Sequence, residues 1–158
     1  MDIAELSARL MGMDDATWQR HANPWSGWSR MTILPLFCLA IWSRVWLGWG
    51  ALWFVLAVVI WTWLNPRLFG PPQHHDAWMT KGVLGERIWL NRKTASIPIH
   101  HAQVISRLTY AAALGVVILA VGLWRLELGW VFVGSTLAIG AKLWFLDRMV
   151  WLLADTSD

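Results

Sequence analysis

The sequence has little cysteine, little tyrosine and little charge. Cys38 stands alone inside an apolar run, which excludes an intramolecular disulfide and any disulfide scaffold. Charged residues make up 15% of the 158 positions, against about 25% in soluble domains. That scarcity excludes a disordered chain and argues against a freely solvated surface. The net charge of +3 is mild and asks for no nucleic-acid partner. Catalytic signatures are also missing: there is no G-x-S-x-G, H-E-x-x-H or C-x-x-C, and Gly82-x-x-Gly85 is too short for a nucleotide loop. The first 30 residues carry Asp2, Glu5, Asp14 and Asp15 and no basic n-region, so no signal peptide is expected there.

Apolar residues reach 57% and tryptophans number 15. A core this small has no room for so many indoles, whereas a bilayer interface concentrates them. The expected class is an all-α integral membrane protein. Four apolar segments stand out, at Trp28–Ser43, Gly48–Leu64, Val104–Trp124 and Leu128–Leu146. The first two lie near the short limit of about 17–25 residues for a spanning helix. Very short links join one to two and three to four, which predicts two hairpins and a four-helix bundle. Pro35 is expected in the first turns of segment one, and Asn65-Pro66 is expected to stop segment two.

The Lys and Arg distribution orients the chain. Of 13, only Arg44 and Arg125 fall at the hairpin tips. The positive-inside rule then predicts a prokaryotic inner-membrane protein with both termini in the cytoplasm. The expected organisation is a cytoplasmic segment 1–27, hairpin one 28–64, an interfacial cytoplasmic loop 65–103, hairpin two 104–148 and a cytoplasmic tail 149–158. In the loop, Asp76 is a candidate N-cap for a short helix that Gly82 and Gly85 interrupt, with Trp78 and Trp89 dipping into headgroups. Ile3, Leu6 and Leu10 also have helical spacing. Gly134, Ser135, Ala138 and Gly140 offer small residues for close packing against Gly115 and Ala111–Ala113.

Short matches recur in the same order in both halves. Arg20-His21-Ala22-Asn23 parallels His100-His101-Ala102-Gln103. Ser29-Arg30-Met31-Thr32 parallels Ser106-Arg107-Leu108-Thr109, and Arg44 with Leu47-Gly48-Trp49 parallels Arg125 with Leu128-Gly129-Trp130. A duplicated hairpin is the expectation, with an axis along the membrane normal. Trp18-Gln19-Arg20-His21-Ala22-Asn23-Pro24-Trp25-Ser26, then Asn65-Pro66-Arg67-Leu68-Phe69 and Lys81-Gly82-Val83-Leu84-Gly85-Glu86-Arg87, resemble a family of small prokaryotic membrane proteins of unknown function. The resemblance spans about residues 14–148 and implies the same membrane class, but no activity.

Two clusters are candidates for chemistry. His21, Asn23, Ser29 and Arg30 from half one would face His101, Gln103, Ser106 and Arg107 from half two. Paired guanidiniums suit a phosphate or carboxylate, although arginines that merely snorkel to lipid phosphates would look the same. His74, His75, His100 and His101 are candidate ligands for a transition metal or haem, because neutral imidazoles suit Zn, Cu, Fe or Ni. The expected function is a small binding or accessory protein. It would recognise an amphipathic or anionic ligand, and the expected partners are membrane lipid and a larger membrane complex or a second copy in a homo-oligomer. The alternative is a metal- or haem-dependent membrane enzyme. Lys142 is expected to snorkel, being too far along its helix to reach Glu127.

Overall fold

Two side-chain caps open the fold. Asp14 Oδ1 accepts the Thr17 N–H at 2.7 Å and starts α1 (Asp15–His21). Hydrogen bonds from the Thr17 side chain and then its backbone hold the Asp14 carboxyl below the usual carboxylate range. Asn23 Oδ1 accepts the Trp25 N–H at 2.9 Å and starts α2 (Pro24–Met31), with Pro24 where its missing N–H costs least. In this computed structural model the described residues are Gly12, 14–92, Thr94 and 96–157. The spacing of Ile3, Leu6 and Leu10 lies outside them. Among the described residues the secondary structure is helical, with no strand.

The helix breaks at Thr32, and α3 (Ile33–Trp42) follows with Pro35 in its first turn, as expected. A short α4 (Arg44–Leu47) and a 3₁₀ turn (Gly48–Gly50) then reverse the chain. Gly48 has φ +53°, a conformation that a side chain would strain. α5 (Ala51–Leu68) returns beside α2 and α3, bringing Asn65 back to Ser26 and Ser29. The expected stop at Asn65-Pro66 is corrected, because α5 continues through Pro66 to Leu68. Proline removes one N–H and disfavours helix at the preceding residue. Here the buried hydrogen bonds of the Asn65 side chain offset that cost.

The central region holds a second correction. α6 (Trp78–Leu90) is a packed helix, with Met79, Thr80, Gly82, Val83 and Gly85 buried. Its N-cap is Ala77, without a side-chain bond, rather than Asp76. Gly82 and Gly85 do not interrupt it. They let it lie on the last helix, since a Cβ at Gly85 would fall inside the backbone of Met149. Trp78 stacks on Trp28 with centroids 6.1 Å apart and donates from its ring N–H to Asp147 at 3.5 Å.

α7 (Ile99–Arg125) and α8 (Leu128–Ser157) form a long antiparallel pair. Leu126, at φ 59°, makes the left-handed turn between them. Gly115 meets the backbone of Gly134 and Ala138, and Gly134 meets Leu119, so small residues do set their closeness. Gly140 takes no part, having nothing near its Cβ position. α8 runs on past Leu146, burying Met149 and Leu152 against Ile105.

Three stretches are long and apolar enough to cross a membrane by length and composition, namely Pro24–Leu68, Ile99–Arg125 and Leu128–Thr156. Only 11%, 22% and 22% of their most apolar windows are buried inside the protein, so their apolar surface faces outward. Trp53, Tyr110, Trp124 and Phe132 are among the most exposed side chains. Arg44 Nη2 donates to the carbonyls of Leu123 and Trp124 at 2.6 and 2.8 Å. That contact puts the α4 turn and the α7–α8 turn at the same end of the molecule, with α6 at the other.

Candidate functional site

The polar centre starts from two fully buried groups, Ser26 and Asn65. Ser26 Oγ donates to Asn65 Oδ1 at 3.1 Å, Asn65 Nδ2 donates to Ser29 Oγ at 2.7 Å, and Ser29 Oγ donates to Ser26 O at 3.1 Å. Buried polar groups are tolerated only when bonded in this way. Arg30 lies four residues after Ser26, on the same helix face. Its Nη1 donates to Ser26 Oγ at 2.9 Å and to His21 Nδ1 at 2.6 Å, and both Nη atoms reach His21 O at 3.3 Å.

A guanidinium can only donate. His21 Nδ1 must therefore offer a lone pair, which makes the ring neutral with its proton on Nε2. Burial is the main reason that the imidazole is pushed down to about 3, and the adjacent Arg30 charge adds to it. The ring of Trp18 meets His21 edge-on at 5.3 Å and helps to seal it.

Arg30 and His21 line a cavity of about 310 Å³. Its other polar walls are Glu86 from α6 and Lys142 from α8, and its apolar walls include Leu34, Met79, Ile139 and Leu146. Lys142 Nζ donates to Glu86 Oε1 at 2.9 Å. Burial would raise the Glu86 carboxyl, but the charge and hydrogen bond of Lys142, with the charge of Arg30, bring it below its ordinary value. Among the described residues no carboxylate comes within ion-pair distance of Arg30, whose hydrogen bonds all go to neutral groups. The cavity thus holds two cations, one anion and one neutral imidazole.

The structure divides the predicted residues. His21 and Arg30 do come together. Asn23 and Ser29 act as scaffold: Asn23 caps α2 and donates to Gly70 O at 2.9 Å, and Ser29 receives Asn65. Gln103, Ser106 and Arg107 are exposed and line no part of the cavity. The two halves therefore place their matching residues in unlike surroundings: Arg30 is half-buried, Arg107 lies open. His101 is buried and bonded to Asp155. His74 and His75 are exposed, with His74 in a shallow pocket beside Asn23 and Gly70.

Sequence reasoning missed Ser26, Asn65 and the Glu86–Lys142 pair. The signal for the pair was present, because a lysine within an apolar segment requires a counter-charge and Glu86 is one of few acids in the central region. Ser26 was legible as the residue one helical turn before Arg30.

The chain belongs to a family of unknown function, DUF6653, which it matches over residues 2–158. No curated protein and no solved structure matches it.

Proposed function

We propose that this is a small inner-membrane binding protein whose cavity receives an amphipathic anion, with a phosphate or carboxylate head and an apolar body. The observation that carries the reading is Arg30. It is a half-buried guanidinium with only neutral hydrogen-bond partners, on the wall of a cavity that already holds the Glu86–Lys142 pair. Among the described residues the cavity carries one positive charge in excess, Arg30 and Lys142 against Glu86, and a planar guanidinium suits two oxygens of a phosphate or carboxylate. Leu34, Ile139 and Leu146 supply the apolar side such a molecule needs.

In this reading the reversal at Gly48 makes Pro24–Leu68 two crossings, so the chain forms four in two hairpins. α8 is 30 residues long and extends about 45 Å, more than the roughly 30 Å of hydrocarbon. If it enters at Leu128, Lys142 lies about 21 Å along it, near the inner boundary. There α6 brings Glu86 from outside the bilayer, and the cavity opens at headgroup depth. The concentration of Lys and Arg away from the two turns supports a cytoplasmic location for this end.

The experiment is thermal unfolding of the purified full chain in mild detergent, with added phosphatidylglycerol, phosphatidylcholine or inorganic phosphate. Phosphatidylglycerol stabilises the wild type, and phosphatidylcholine does not. Arg30→Lys weakens that effect by about ten- to a hundredfold in lipid concentration, the worth of one charged hydrogen bond. Arg107→Lys, outside the cavity, leaves it unchanged. Stabilisation by phosphate alone assigns the site to a free anion. Equal stabilisation of the wild type and Arg30→Lys refutes the reading.

A further inference from the structure

At the end of the molecule opposite the two turns, His100 and His101 open α7 and Asp155 closes α8. One ligand atom from each lies within 4.8 Å of the other two. His101 Nε2 is 2.8 Å from Asp155 Oδ2, and His100 Nε2 is 4.0 Å from the same oxygen. The two imidazoles stand with ring centroids 4.3 Å apart and planes tilted by 39°. Successive residues on a helix normally diverge by about 100°, so convergence of both rings on one carboxylate is a specific arrangement. None of these residues lines the Arg30 cavity.

We propose that His100, His101 and Asp155 bind a divalent transition-metal ion of the zinc class. Two imidazoles and one carboxylate suit Zn²⁺ and its neighbours and leave a coordination position open. Metal-to-ligand distances of about 2.0–2.2 Å put tetrahedral ligand atoms about 3.4 Å apart. The observed separations bracket that value, so rotamer adjustments of about 1 Å admit the ion. Asp155 lies in the last turn of α8, where its negative charge meets the negative end of the helix dipole. A cation held there relieves that repulsion.

Burial makes the site both anchored and reachable. His101 is 4% exposed and lies one helical turn before Ile105, which packs with Met149 and Leu152. The His100 side chain is 69% exposed and that of Asp155 47%, so an ion can arrive from the aqueous side. Bound metal would clip the start of α7 to the end of α8.

The test is calorimetric titration of Zn²⁺ into the full chain, purified without a histidine tag, together with its unfolding temperature. The wild type binds one ion per chain and is stabilised by it. His100→Ala removes an exposed ligand without disturbing the core, and Asp155→Asn keeps a hydrogen-bond partner for His101. Each weakens Zn²⁺ binding by at least about tenfold, because even residues that only orient a metal ligand contribute that much. His74→Ala and His75→Ala bind as the wild type does. Absence of stoichiometric binding, undiminished binding by folded His100→Ala, or loss only in the His74 and His75 variants overturns the proposal.

Discussion

At the scale of single residues, His21 carries the clearest pH dependence. Its folded-state value of about 3 lies below the ordinary 6.5, so the native fold binds fewer protons than the unfolded chain. The stabilisation is complete above about pH 6.5 and is lost as pH falls toward 3, at up to about 1.4 kcal/mol per unit. Glu86 has the same sign, since its value is lowered, but its contribution is lost only as pH falls below its ordinary value of 4.5. Unfolding temperature should therefore fall between about pH 6.5 and 5 in the wild type and stay flat there in His21→Gln. Equal slopes would show that His21 is not held neutral. Asn65 offers a second measurement at this scale. Replacing it by Leu leaves Ser26 with one partner fewer in a fully buried place, and the expected loss is about 1–3 kcal/mol. A Leu variant as stable as the wild type would mean that the network contributes nothing net.

At the scale of elements, two contacts decide how helices lie together. Gly85 allows α6 to approach the backbone of α8 at Met149. An Ala there must push the helices apart, which costs about 1–3 kcal/mol as overpacking and separates Glu86 from Lys142. Unfolding temperature should fall, and cross-linking between cysteines placed at those two positions should weaken in the Gly85→Ala background. At the other end, Arg44 bonds the last carbonyls of α7, where a cation also complements the helix dipole. Arg44→Gln should cost about 1–3 kcal/mol, measured as unfolding temperature in detergent. An unchanged value would show the two halves to be held together elsewhere.

At the scale of the molecule, the prediction concerns orientation. Both turns share one end, and the cavity and the paired histidines lie toward the other. A reporter active only outside the cytoplasm should be silent when fused after Asp158 and active when inserted at Gly48. Activity after Asp158 would reverse the proposed orientation, although the cavity itself would be untouched. In the proposed orientation lipid would reach Arg30 from one leaflet, which leaflet-selective labelling of a cysteine at Leu34 would report.

Much of this was legible from composition and spacing alone. The scarcity of charge, the 15 tryptophans and the long apolar runs announced helices able to cross a membrane. The short link before Gly48 marked the reversal, and Gly115, Gly134 and Ala138 marked the close pair, because link length and side-chain volume are properties of the sequence itself. The nearness of His21 to Arg30 was also expected, but their partners were not. Glu86 and Lys142 are 56 positions apart, and Asn65 is 39 from Ser26. His101 meets Asp155 across 54. Such pairs depend on which helix packs on which, and one-dimensional periodicity does not encode that choice. α6 shows this most directly. Its glycines look like interruptions in the sequence, and only the backbone of α8 pressed against them makes them the reason that the helix fits.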